Sequence, residues 1–187
     1  HPPDTVMLKR LHHNAYRCRD SEETRKFYED FLGLPLTNAF VISETKSGRP
    51  TNTLHAFYGM DDGSALAFFE APDRPFDFKE QHDFDLHIAL EVTHDDLQRM
   101  FAKGKAAGIE TRGISDHGFI DSIYFRDPNF YPLEITRPLR SLEKMDQVDA
   151  DMTIRAALDL FDEGDWTNIE QLWRQKAKHV AAYQEEG

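Results

Sequence analysis

Apolar residues along most of this chain follow two rhythms, one of three to four positions and one of two. Phe27, Phe31 and Leu34 keep the first, as do Leu97, Phe101 and Ile109, which predicts helices over residues 21–32 and 95–107. Each helix opens on a capping sequence, Asp20-Ser-Glu-Glu or Thr93-His-Asp-Asp, whose first side chain can accept from the unbonded N–H groups of the first turn. Each closes near a glycine, Gly33 or Gly108, where a C-cap is expected. The two-residue rhythm predicts strands over 11–17, 36–43, 53–58 and 64–70, and again over 85–92, 110–114, 122–126 and 131–136.

The element order is therefore βαβββ, twice. An offset of 74 positions lays His13 on His87, Ala15 on Ala89, Arg25 on Arg99 and Phe27 on Phe101. Towards the module ends the offset is 66, with Asp61 on Asp127 and Pro72 on Pro138. The eight-residue difference is a longer loop in the first copy, around the turn-like stretch Lys46-Ser-Gly-Arg-Pro-Thr-Asn. Agreement in both order and spacing argues for an internal duplication. Residues 7–75 make the first module and 83–138 the second, within one domain over 7–138. Residues 139–187 form a C-terminal extension that reads as a helical hairpin. Its first helix carries Ile154, Leu158 and Phe161, Gly164 breaks it, and Thr167 caps a second helix with Ile169, Leu172 and Trp173. Such a hairpin must bury its apolar stripe, on its own domain first and as a dimer arm second.

Composition narrows the partners. The net charge of −12, from 22 basic and 34 acidic residues, argues against a nucleic-acid backbone or an anionic membrane. No apolar run reaches the length of a membrane span, and no charged-then-apolar leader precedes the first strand. The chain opens on His1, so a trimmed or longer N-terminus is expected. Cys18 is the single cysteine and can form no internal disulfide; a small buried residue in a reducing, cytoplasmic setting is the expectation.

The densest chemistry lies in His117-Gly-Phe-Ile-Asp-Ser-Ile-Tyr-Phe-Arg-Asp-Pro-Asn-Phe-Tyr-Pro-Leu-Glu134. A strand leads into an Asp127-Pro128-Asn129 turn, in which Pro128 presets one backbone angle and Asn129 tolerates the left-handed one. The returning strand sets Glu134 among apolar neighbours, where a carboxylate is costly unless something positive meets it.

Together with Leu11-His-His-Asn-Ala-Tyr-Arg-Cys-Arg-Asp, Phe27-Tyr28, Leu32-Gly33-Leu34 and His87-Ile-Ala-Leu-Glu-Val, this segment resembles the vicinal oxygen chelate superfamily. That group holds glyoxalases, bleomycin-resistance proteins and extradiol dioxygenases. The resemblance implies an α+β fold whose two tandem βαβββ modules make a half-closed barrel around a divalent metal. Carried over, the ligands are His13, His87 and Glu134. The residue types agree, since two imidazoles and a carboxylate form a facial set that leaves open positions on Fe(II) or a similar ion. Alternation puts His13, Ala15 and Arg17 on one strand face, and His87, Ala89 and Glu91 on the equivalent face of the other copy. One strand histidine is ordinarily a hydrogen-bonded core or surface residue; two in register across a duplication favour ligands. His12, one residue out of register, is expected on the opposite face.

The same segment is similar to the extradiol dioxygenase signature, with His117, Ile123-Tyr124, Asp127-Pro128 and Glu134 at matching spacing. Ser115 and Phe130 depart from it, Phe130 where that pattern has a turn glycine, an angle Asn129 could absorb one position earlier. The resemblance implies Fe(II) (Mn, Zn, Ni and Co accept the same donors), dioxygen, and a small aromatic or vicinally oxygenated substrate. His117 would be the acid/base and Tyr124 a donor to a substrate oxygen. The plain alternative is a polar loop histidine and an ordinary strand tyrosine. Glyoxalase-like isomerases add a fourth ligand at the end of module one. The offset of 66 puts Phe68 there, and Glu70, two positions on, reads as an exposed strand-end acid. His55 reads as structural, and Phe57, Tyr58, Phe68, Phe69, Phe76 and Phe78 as pocket lining or core. Two other functions stay open: a glyoxalase-like metal-dependent isomerase or lyase, and a non-catalytic binding protein of the resistance type. A homodimer is the assembly this reading allows.

Overall fold

The computed structural model describes residues 5–141 and 143–186. Contacts divide the chain into a unit ending at Leu139 and a unit beginning at Arg140. The first unit runs β1 (His13–Arg17), α1 (Ser21–Arg25, continued by a wider helix over Lys26–Phe31), β2 (Leu36–Glu44), β3 (Pro50–Gly59) and β4 (Ala65–Glu70). The second copy follows as β5 (Ile88–Glu91), α2 (His94–Ala106), β6 (Thr111–Asp116), β7 (Ile120–Arg126) and β8 (Pro132–Pro138). The expected caps are in place: Asp20 accepts from the Glu23 N–H and Thr93 from the Asp96 N–H. Gly33 and Gly108 both take a left-handed φ beyond their helices.

Two four-stranded mixed sheets result, ordered β1-β4-β3-β2 and β5-β8-β7-β6. In each, the first strand runs parallel to the last and the other pairs are antiparallel. Among the described residues no strand of one sheet pairs with a strand of the other, so there is no closed barrel. The duplication is present, with one change of register. Gly59 pairs with Ala65 and Arg126 with Pro132, so the offset at the module ends is 67 (Gly59 onto Arg126) and not 66. The aspartate and proline matches flank the strands, where residue identity cannot detect a one-residue slip. Such a slip exchanges strand faces. Ala67, on the face of β4 turned from the helix, therefore stands where Glu134 stands in the second module.

The helix-facing sides of both sheets share one core, in which Tyr28, Tyr58, Leu66 and Phe68 meet Leu97, Ile123, Phe125 and Leu133. Phe31 approaches Phe125 edge-on at 5.3 Å between ring centres. Gly104 stands inside α2 because the helix runs against that ring: a Cβ there would lie 2.4 Å from Phe125 Cε1. Cys18 is buried as expected, and burial pushes its thiol up to about 11.

The Asp127 turn departs from expectation. Phe130, not Asn129, takes the left-handed conformation, at φ 70. Asn129 is held elsewhere, its Oδ1 accepting from the Arg19 N–H at 2.8 Å and its Nδ2 donating to Thr24 Oγ1 at 3.3 Å. A left-handed residue with a Cβ costs roughly 1–2 kcal/mol. The Arg19 guanidinium over the Phe130 ring, at 5.3 Å, offsets only part of that. Phe130→Gly should therefore raise the thermal midpoint by about 2–4 °C in calorimetry. A fall would mean that the ring contact outweighs the backbone strain.

In the second unit α3 (Lys144–Phe161) and α4 (Ile169–Glu186) pair, with Gly164 left-handed between them. Asn168, not Thr167, serves α4: its Oδ1 accepts from the Gln171 N–H, while Thr167 closes a 3₁₀ turn over Asp165–Thr167. Met152, Ala156 and Leu160 are the buried positions of α3, and the expected stripe of Ile154, Leu158 and Phe161 is exposed. Both sets keep helical spacing about half a turn apart, so periodicity alone chooses neither. Among the described residues no helix is long and apolar enough to cross a membrane.

Candidate metal centre

Each sheet turns one side to its helix and the other, here called the outer face, away from it. On the outer face of the second sheet, β8 places Glu134 between Ala89 of β5 and Tyr124 of β7. Ser122 lies on the same face of β7, two residues from Tyr124. His87 directly precedes β5. That strand starts later than expected because the chain turns at His82, whose carbonyl accepts from the Asp85 and Leu86 N–H groups.

Glu134 is 6% exposed, and among the described residues no lysine or arginine pairs with it. Its Oε1 accepts from Ser122 Oγ at 2.7 Å, and its Oε2 lies 3.3 Å from His87 Nε2. The state of the imidazole follows from its other nitrogen. His87 Nδ1 lies 2.7 Å from the Asp83 carbonyl oxygen, which can only accept, so Nδ1 carries a proton. In the neutral ring, the Nε2 lone pair then points at a carboxylate oxygen. Two acceptors at that distance repel unless a proton or a metal cation lies between them. An imidazole oriented by a backbone carbonyl, beside a carboxylate oriented by a hydroxyl, fits a divalent metal.

His13 is elsewhere. It holds the matching place on the first module, its Nδ1 2.8 Å from His12 Nδ1 and its ring edge-on to Phe57. Among the described residues no group of three or more His, Cys, Asp and Glu is gathered closely enough to hold a metal. Of the three expected ligands the structure brings His87 and Glu134 together and leaves His13 apart. His12 directly precedes β1, with its ring nitrogen against that of His13.

His117 and Tyr124 do meet, with Nε2 2.9 Å from the phenol oxygen. Burial first, and then the Glu134 charge, raise the Tyr124 pKa, so the phenol keeps its proton. Arg112 lies over the Tyr124 ring at 5.1 Å and pairs with Asp83 at 3.3 Å. Glu70 is on the helix side, where its Oε1 accepts from the Ser21 N–H at 2.6 Å; it caps α1 and does not reach the outer face. His55 is buried on the outer face of the first sheet, stacked on Phe69 at 3.7 Å, and burial lowers its pKa. Sequence reasoning missed Ser122 and Asp83. Alternation from Tyr124 would have found Ser122, whereas Asp83 acts through its carbonyl and leaves no trace in residue type.

The chain belongs to the Glyoxalase/Bleomycin resistance protein/Dioxygenase superfamily, whose family model matches residues 10–135. Solved structures of the same fold include a glyoxylase/bleomycin resistance protein/dioxygenase domain from Frankia sp. EAN1pec, 20% identical with a TM-score of 0.56, covering 71% of this chain and 99% of that one. The fosfomycin resistance protein FosX from Listeria monocytogenes, in complex with Mn(II) and a dihydroxypropylphosphonic acid, is 19% identical with a TM-score of 0.54, covering 74% and 98%. The antibiotic-binding protein TnmS3 from Streptomyces sp. CB03234 is 15% identical with a TM-score of 0.53, covering 72% and 99%. At these identities the likeness shows the fold alone. The comparison with curated proteins finds no match.

Proposed function

We propose that this protein is a metal-dependent enzyme acting on a small vicinally oxygenated molecule, by extradiol-type cleavage of a catechol with Fe(II) and dioxygen. The observation that carries this reading is the contact of His87 Nε2 with the buried Glu134 carboxylate, beside the hydrogen-bonded His117 and Tyr124. A divalent cation held there supplies Lewis acidity toward two neighbouring substrate oxygens. Mn, Zn, Ni and Co suit the same donors, and the Listeria protein was solved with Mn(II).

The protein's own residues divide the work. Ser122 fixes Glu134 Oε1, and Glu134 with His87 would hold the cation. Tyr124 donates a hydrogen bond from its phenol to a substrate oxygen. His117, exposed beside it, takes a proton from the second hydroxyl and returns it to solvent, a role imidazole suits. His13 would be the third donor, supplied by a second copy of the chain in a homodimer.

A second reading, a binding protein of the resistance type, draws on the lack of a third donor among the described residues of one chain. Fe(II)-reconstituted protein should consume oxygen with members of a catechol panel, and chelation should stop it. Metal-dependent turnover without oxygen uptake would move the assignment to a glyoxalase-like isomerase or lyase. Tight binding with neither metal nor turnover would leave the sequestering protein.

A further inference from the structure

A cavity of about 480 Å³ lies on the outer face of the first sheet, at the end of β1 away from His13. The chain carries 34 acidic residues against 22 basic, yet Arg17, Lys46, Arg49 and Arg74 line this cavity against a single acid, Glu44. Arg49 has a carboxylate partner in Asp73, at 3.1 Å. Among the described residues no carboxylate lies within ion-pair distance of Arg17, Lys46 or Arg74.

From this arrangement we infer that the cavity is a binding site for a small aromatic carboxylate, held by its charge at Arg17. Arg17 pairs with Phe69 across β4 and shares the face of His13 and Ala15. Its Nη2 donates to the carbonyl oxygens of Ala71 and Arg74, at 3.0 and 2.6 Å. Those contacts orient the guanidinium and neutralise none of its charge. Its Nε is buried and has no hydrogen-bond partner. Nη1 makes no hydrogen bond among the described residues and is left to donate to a carboxylate, a charge-assisted bond.

The rest of the cavity selects for a flat apolar body. Phe69 and Ile42 line it, His55 lies flat on Phe69, and Phe57 and Phe40 continue the aromatic surface along the sheet. The Thr51 and Thr53 hydroxyls, 2.7 Å apart, add a polar edge. An aromatic surface beside a desolvated guanidinium favours an aryl acid over an inorganic anion. Phe57 reaches His13, but none of these residues touches His87 or Glu134, and the charge at Arg17 stands whether or not the cation reading does.

The test uses metal-free protein, titrated with naphthoate and with its neutral counterpart naphthamide, by calorimetry and by amide chemical shifts. Naphthoate should bind saturably and more weakly in high salt, with shifts gathered on β1, β3 and β4. Naphthamide should bind at least about tenfold more weakly. Arg17→Gln should erase the preference for the acid. Arg74→Gln, at an exposed position, should weaken naphthoate binding severalfold and keeps the test decisive if the first variant does not fold. Equal affinity for acid and amide, undiminished binding in both folded variants, shifts gathered on the second sheet, or no saturable binding would each overturn the inference.

Discussion

Glu134→Gln should leave a folded protein that neither holds the metal nor turns over, and whose metal-free form is more stable than the parent. The amide keeps the size of the acid and an oxygen for Ser122 Oγ, 2.7 Å away. Its NH2 group then faces His87 Nε2, 3.3 Å from Oε2 in the parent, and an opposition of two acceptors becomes a hydrogen bond. One such bond in a buried place contributes about 1 kcal/mol, and removing the desolvated charge adds to it. Metal affinity moves the other way. Outer partners of metal ligands are worth about 10–100-fold in affinity, so Ser122→Ala should fall in that range and the ligand itself beyond it. Metal content, turnover and the thermal midpoint of the stripped protein check the three parts together. A stripped Glu134→Gln that melts below the parent would show that a proton already bridges the pair, and that His87 and Glu134 are an ordinary ion pair.

The elements that local pattern controls were legible in the sequence. Asp20 and Thr93 cap their helices, Gly33 and Gly108 end them, and strand alternation puts Glu134 and Tyr124 on one face, which His87 reaches from just before β5. His117 and Tyr124, linked in the sequence only by a spacing, come within hydrogen-bond distance. What failed depends on information that residue type does not carry. The offset at the module ends rested on Asp61 and Pro72, which lie outside the strands, and a slip of one residue moved the place equivalent to Glu134 from Phe68 to Ala67. The separation of His13 from its expected partners is a matter of how two modules pack, which no local periodicity encodes. Phe130 holds the left-handed angle because Asn129 is claimed by Arg19 and Thr24, from a different element.

That same turn sets the largest stability effect. Asp127 is 3% exposed and joins the modules: it accepts from the Tyr28 hydroxyl at 2.7 Å and from the Asn129 and Tyr131 N–H groups, both at 2.8 Å. Tyr28 belongs to the first module's helix and the two amides to the second module's turn. Asp127→Ala strands these buried donors at once and should cost roughly 3–5 kcal/mol. At about 2–4 °C per kcal/mol for a chain of this size, the midpoint drops by roughly 6–20 °C. The pH dependence has a definite sign. Burial, outweighing the donors, raises the Asp127 pKa above its ordinary 3.8, so the folded state binds this proton more tightly than the unfolded state. The stability contributed by the side chain is then full below that value and declines as pH rises through the raised one. The gap between parent and variant in urea denaturation should be widest near pH 3 and narrower at neutrality. A gap that widens with pH would mean that the donors outweigh burial and that the carboxylate, not the acid, is the form the joint prefers.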